Sequence, residues 1–214
     1  GVPCVLKTFD LSRPSHLAEL KRQARLLGSL DHPNVAPITA IFFDEGKTMA
    51  YLETPLYENG PLDRYLAGVA APRLPAPHGA VLDRGHELCV VVVLAALQQV
   101  VAALAAVHAT GAVHGDVKLP NVLVDADGIS VLNDFDLARI GATVTFGGAT
   151  ATLGGAGTPL YMAAEVRLGA PPTAAADVYG WGVCVLLVFY QPGVPLGPRD
   201  LPAAVAALQA ADPA

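Results

Sequence analysis

Charge is scarce in this chain. Lys, Arg, Asp and Glu make up 15% of its 214 residues, against roughly 25% in an average soluble protein. Apolar residues reach 53%, which excludes disorder over most of the length and leaves enough material to bury a core. A basic surplus is also missing: 13 basic residues face 19 acidic ones, a net charge of −6, so no nucleic-acid partner is expected. Cysteine is too sparse and scattered, at Cys4, Cys89 and Cys184, for a disulfide framework or a thiolate zinc site. Reduced thiols and a cytoplasmic location are expected instead. The 21 glycines keep no G-X-Y period, which excludes a collagen-like chain. GVPCVLKTFD at the start lacks a basic stretch leading into an apolar one, so no signal peptide is expected. His16, His78, His86 and His108 show no mutual spacing that suggests a metal site.

One apolar run is long. Cys89 to Val107 reads CVVVVLAALQQVVAALAAV, near the minimum of about 17–20 residues for a membrane span. Gln98 and Gln99 interrupt its middle and His108 and a glycine turn follow, so a fully buried core helix is expected and no membrane span.

Punctuation along the chain sets the other elements. Pro3–Phe9 reads as a strand carrying one charge, Lys7. Ser15–Leu30 reads as a helix capped by Ser15, with Leu17, Leu20, Ala24, Leu27 and Leu30 spaced by three and four. His32-Pro33-Asn34 ends it. Ala36–Phe43 and Thr48–Leu52 read as a hairpin across Asp44-Glu45-Gly46-Lys47. Pro55–Leu66 is a turn-rich connector entering a short helix, and Ala67–Gly85 an irregular loop. After the apolar helix, Val122–Val124 and Ile129–Leu132 form a second hairpin around Asp125-Ala126-Asp127-Gly128. Gly141–Gly157 is a long loop without period, and Ala174–Tyr190 a last apolar helix. The order predicts an α+β fold of two lobes.

The chemistry sits on loops between these elements. His114-Gly115-Asp116-Val117-Lys118-Leu119-Pro120-Asn121 places an Asp, a Lys and an Asn on one loop, where catalytic groups concentrate. Asp134-Phe135-Asp136 follows the second hairpin. An Asn and an Asp converging from opposite ends of a hairpin offer oxygen ligands to a hard divalent cation.

These residues resemble a known family. His114–Asn121 resembles the protein-kinase catalytic loop H-R-D-x-K-x-x-N, and Asp134-Phe135-Asp136 the D-F-G motif. Val5-Leu6-Lys7 resembles the strand motif V-A-I-K. Leu30–Val35 resembles L-x-H-P-N-I, Gly157–Glu165 resembles G-T-P-x-Y-M-A-P-E, and Asp177–Gly182 resembles D-V-W-S-x-G. Six motifs in the family's order make the resemblance specific. It implies a kinase-like fold with a small, β-rich N-lobe carrying one helix (1–54), a hinge (55–60) and a mainly helical C-lobe (61–214). It implies transfer of the γ-phosphoryl group of ATP, with magnesium, to Ser or Thr of a protein substrate. Asp116 would accept the hydroxyl proton and Lys118 would neutralise the moving group. Asn121 and Asp134 would hold magnesium, and Lys7 would pair with the α- and β-phosphates. His114 is expected to be structural, and Asp177 to brace the catalytic-loop backbone.

The departures from the family's pattern carry their own expectations. Gly115 replaces the Arg that receives a loop phosphate, so phosphorylation of Thr143, Thr145, Thr150 or Thr152 is not expected to be the main switch. Gln23 stands where the helix glutamate partner of Lys7 belongs, and Gln23→Glu is expected to raise activity if Gln23 faces Lys7. Glu19, one turn earlier, is expected to be solvated, with a substitute role if the helix shifts. Asp136 replaces the glycine of D-F-G and is expected to take left-handed backbone angles at a modest penalty. Ala164 replaces the proline of A-P-E. The domain is expected to be incomplete at both ends, without the strands and glycine-rich loop that precede the lysine strand in the family. Two alternatives stay open: a pseudokinase or scaffold that binds ATP without turnover, and a small-molecule phosphotransferase of the aminoglycoside or choline kinase type.

Overall fold

The computed structural model describes residues 3–70, 84–140 and 159–189. The Gly141–Gly157 loop with its four threonines, most of the proline-rich stretch before the apolar helix, and the chain after Phe189 lie outside the described residues.

The first lobe is a three-stranded antiparallel sheet with one helix. Strands β1 (Cys4–Asp10), β2 (Ala40–Phe43) and β3 (Met49–Pro55) lie in the order β1-β3-β2, with Lys7 opposite Leu52. Helix α1 (Pro14–Gly28) starts on a proline, whose fixed φ suits the first turn. Ser15 lies inside that turn; Arg13 is the cap residue and its side chain makes no capping bond. Phe9, Ala50 and Leu52 of the sheet close on Leu20 of α1 to form a small core.

The strand expected over Ala36–Phe43 begins only at Ala40, because Pro37 has no N–H for a ladder. The residues before it do other work. Val35 bridges to Leu132, the Ala36 N–H donates to the Leu132 carbonyl at 2.9 Å, and the Leu132 N–H donates to the Asn34 carbonyl at 2.8 Å. The buried Asn34 side chain donates to the Ser130 carbonyl at 2.9 Å. This strap ties the end of α1 to the second lobe.

That lobe holds strand β4 (Gly60–Pro61), helices α2 (Leu62–Ala70) and α3 (Arg84–Ala109), strands β5 (Ala112–Val113), β6 (Val122–Val124), β7 (Ser130–Leu132) and β8 (Arg139–Ile140), and helices α4 (Ala164–Arg167) and α5 (Ala174–Phe189). Val93, Ala96, Leu97, Val100, Ala103, Leu104 and Val107 put one stripe of α3 into the main core, against Leu62 and Leu66, Val122 and Val124, and Trp181 and Cys184. Each large side chain buried there contributes about 1.5–3 kcal/mol.

Helix α3 is not buried all round. Val91, Leu94 and Val101 are exposed among the described residues, because a helical period turns every third or fourth residue away from a one-sided core. Val91–Ala109 is long and apolar enough to cross a membrane by length and composition, with 39% of that window buried.

Candidate active site

The open end of the second hairpin sets the floor of the site. Val122 pairs with Leu132, and the next bond along is the Asn133 N–H to the Asn121 carbonyl, 2.8 Å. Asn121 and Asp134, 13 apart in sequence, therefore sit side by side. A cleft of about 490 Å³ lies above them, with Val5, Leu6, Lys7, Leu52 and Thr54 of the sheet and Gln23 and Leu27 of α1 on its other walls. Asn133, Asp134 and Asp136 complete the polar floor.

Asp116 and Lys118 stand on the other side of Asn121, beside a separate small hollow. Lys118 Nζ donates to Asp116 Oδ2 at 2.6 Å, and Asn121 Nδ2 donates to the same oxygen at 3.0 Å and to the Asp116 carbonyl at 2.9 Å. With its amide nitrogen spent on Asp116, Asn121 turns its Oδ1 away from that bond. The Asp134 carboxylate accepts no hydrogen bond from any described residue. One amide oxygen and one open carboxylate suit magnesium, which binds through one or two carboxylates and completes its shell with phosphate oxygens and water.

The loop is held from below. Asp177, at the start of α5 and 2% exposed, accepts the His114 N–H on Oδ2 and the Gly115 N–H on Oδ1, both at 2.8 Å. His108 Nε2 lies 2.8 Å from Oδ2. The bracing role expected of Asp177 is what the geometry displays. Gly115 has φ +82°, and a Cβ there would lie 3.1 Å from the Leu137 carbonyl, so the position that carries Arg in the family suits only glycine without strain here. Gly180 was not singled out by its motif, yet a Cβ on it would meet the Val117 carbonyl at 2.9 Å. The missing side chain lets α5 lie directly under the catalytic loop.

His114 is fully buried and structural. Its Nδ1 accepts the Asp116 N–H at 3.3 Å, which assigns the proton to Nε2, the donor to the Asn133 carbonyl at 3.0 Å. Burial lowers its pKa, opposed by the charge of Asp177, and keeps the ring neutral. The ring packs on Phe135, centroids 4.7 Å apart. Phe135, itself in the core, thereby fixes the segment that presents Asp134.

Two expectations, one for that segment and one for helix α1, are corrected. The left-handed residue is Asp134, φ 63°, not Asp136. A non-glycine residue in that region costs about 1–3 kcal/mol and marks sites where geometry is imposed. Glu19 is not merely solvated: its Oε1 lies 3.6 Å from Lys7 Nζ. Gln23 is buried and bonds to Asp136 and Glu19. Lys7 Nζ donates to Asp136 Oδ1. Burial pushes the Lys7 pKa down, while the carboxylates of Glu19 and Asp134 raise it.

A lysine on the small lobe's sheet facing an amide and a carboxylate on the larger lobe's hairpin, across a cleft of this size, defines the kinase-like fold. Residues 1–211 match the family described as protein tyrosine and serine/threonine kinase. The chain belongs to that family. It is 32% identical over 185 residues to serine/threonine-protein kinase PknA of Mycobacterium tuberculosis, covering 84% of this chain and 38% of PknA. It is 35% identical over 182 residues to serine/threonine-protein kinase PkaA of Streptomyces coelicolor, covering 84% of this chain and 30% of PkaA. Serine/threonine-protein kinase PknH of Mycobacterium bovis is 33% identical over 182 residues, 85% of this chain and 27% of PknH. The chain thus spans about two fifths or less of the length of these relatives.

Proposed function

We propose that this domain transfers the γ-phosphoryl group of ATP to a serine or threonine hydroxyl of a protein substrate. The observation that carries the reading is the arrangement around Asn121. Its amide nitrogen fixes Asp116 on one side, and its oxygen and Asp134 are left for magnesium on the other. Magnesium, when bound, neutralises phosphate charge; Asn121 and Asp134 are the residues that would hold it. Lys7, at the roof of the cleft, pairs with the nucleotide phosphates. Asp116 Oδ1, the carboxylate oxygen not taken by Lys118 or Asn121, accepts the proton of the attacking hydroxyl, which enters from the hollow lined by Asp116, Tyr161 and Met162. Lys118, 2.6 Å from Asp116, places a positive charge beside the path of the moving group. Serine and threonine as acceptors are supported by Lys118 and by the similarity to serine/threonine-protein kinases.

The experiment is phosphotransfer by the intact protein from labelled ATP to a generic protein acceptor, with and without magnesium, beside Asp116→Asn. Magnesium-dependent label on Ser or Thr that the variant loses by a hundredfold or more, in line with the worth of a general base, is the expected result. Calorimetric binding of ATP with magnesium but no transfer to any acceptor would identify a scaffold instead. No binding with or without the metal would sink the kinase reading.

A further inference from the structure

We propose that Asp136 is the counter-ion that positions Lys7, and that Gln23 is there to hold Asp136. The inference rests on the kinase reading and adds a positioning residue to it. The two departures from the family's pattern, Gln23 and Asp136, are on this view one exchange: the carboxylate beside the lysine has moved from helix α1 to the segment after Asp134.

Four contacts carry the argument. Lys7 Nζ donates to Asp136 Oδ1. The same oxygen accepts the Gln23 amide at 2.9 Å, whose nitrogen also donates to Glu19 Oε1 at 3.0 Å. The Arg22 guanidinium donates to the carbonyl of Asp136. Helix α1 thus grips residue 136 at its carboxylate and at its backbone, and Lys7 closes the cluster from the sheet.

The chemistry of position 23 then follows. A buried amide offers two N–H donors, and here both meet carboxylates. A glutamate at 23 would set a third carboxylate against Asp136 and Glu19 and leave them without a donor between them. With glycine at 136, the ion pair left to Lys7 among the described residues would be that with Glu19, at 3.6 Å. Each residue suits the other's presence, and neither suits the family's usual residue at the other site.

The test uses the intact protein and Asp136→Asn, Gln23→Glu and the double variant, with affinity for ATP and magnesium measured by calorimetry, kcat and KM for ATP measured separately, and thermal melts for each. Asp136→Asn should weaken nucleotide affinity and raise the KM for ATP by about tenfold, the scale of one charge-assisted bond. Gln23→Glu alone should also weaken binding, by about threefold or more, through repulsion. The double variant should return to within about threefold of the parent, because a carboxylate again faces Lys7 across a neutral amide. A merely structural Asp136 would lower the melting temperature without rescue by Gln23→Glu. Parent-like binding by Asp136→Asn, losses that add in the double variant, or tighter binding by Gln23→Glu alone would each overturn the proposal. Should Asp136→Asn fail to fold, the Gln23→Glu arm decides it by itself. A parent protein that binds no nucleotide overturns the kinase reading, and this proposal with it.

Discussion

Removing the carboxylate of Asp177 should disconnect the catalytic loop from the core. In Asp177→Ala two backbone N–H groups, those of His114 and Gly115, lose acceptors at 2.8 Å; that of His114 is fully buried, while that of Gly115 borders a small hollow open to water. A buried donor left unpaired costs about 1–3 kcal/mol and a part-buried one less, so the substitution should destabilise the fold by about 1–4 kcal/mol, with His108 losing its partner as well. Against a total stability of about 5–15 kcal/mol, that is a large share. Asp177→Asn should cost less, about 1–3 kcal/mol, because its oxygen keeps one donor while its amide nitrogen faces the other. Guanidinium denaturation read by Trp181 fluorescence measures the loss, and turnover at saturating ATP measures the displacement of Asp116. Nucleotide affinity should fall as well in folded protein, since Asn121 lies on the braced loop and His114 packs on the Phe135 of the segment that presents Asp134. An Asp177→Ala protein within about 0.5 kcal/mol of the parent would refute the reasoning, because the buried His114 N–H cannot be left unpaired that cheaply.

Gly180→Ala should lower turnover at least tenfold with a stability loss of about 1–3 kcal/mol, since its Cβ would sit 2.9 Å from the Val117 carbonyl; steady-state kinetics and melts check it. Gln99→Leu should destabilise by about 1–3 kcal/mol, because Gln99 Oε1 accepts the N–H of the buried Ser130 at 2.8 Å; denaturant midpoints measure it. Acid should weaken the fold through His114. Its folded pKa lies below the ordinary value, so the unfolded chain takes up a proton the folded one refuses, and stability present above about pH 6.5 falls as pH drops below it. Denaturation at pH 7.5 and at pH 5.5 should show that slope reduced in His114→Gln.

Much of the site was legible because its residues act locally. The loop from His114 to Asn121 and the segment at Asp134 are joined by a short hairpin, so adjacency in sequence becomes adjacency in space. The brace from Asp177 was legible only through the resemblance of Asp177–Gly182 to D-V-W-S-x-G. Helix α3 was legible as an element, but its exposed side was not. Periodicity says little where apolar residues occupy nearly every face of a helix, and the position of neighbouring elements decides which stripe is covered.

The pairing of Lys7 is not legible one position at a time. Taken singly, Gln23 looks like a lost charge, and Asp136 looks like a backbone penalty. Three separate stretches, β1, α1 and the segment after the hairpin, have to fold together before those two residues touch. Charge conservation across the cluster was the available signal. A half-buried lysine held charged in a cleft calls for a carboxylate nearby, so a carboxylate missing from the helix and an unexplained carboxylate gained two residues after Asp134 point to each other. The exchange also changes what helix α1 controls. A glutamate on the helix would reach Lys7 directly. Here the helix acts through Arg22 and Gln23 on residue 136, two residues from Asp134, so the lysine and the metal-side carboxylate are set by one segment, and moving α1 would disturb both at once.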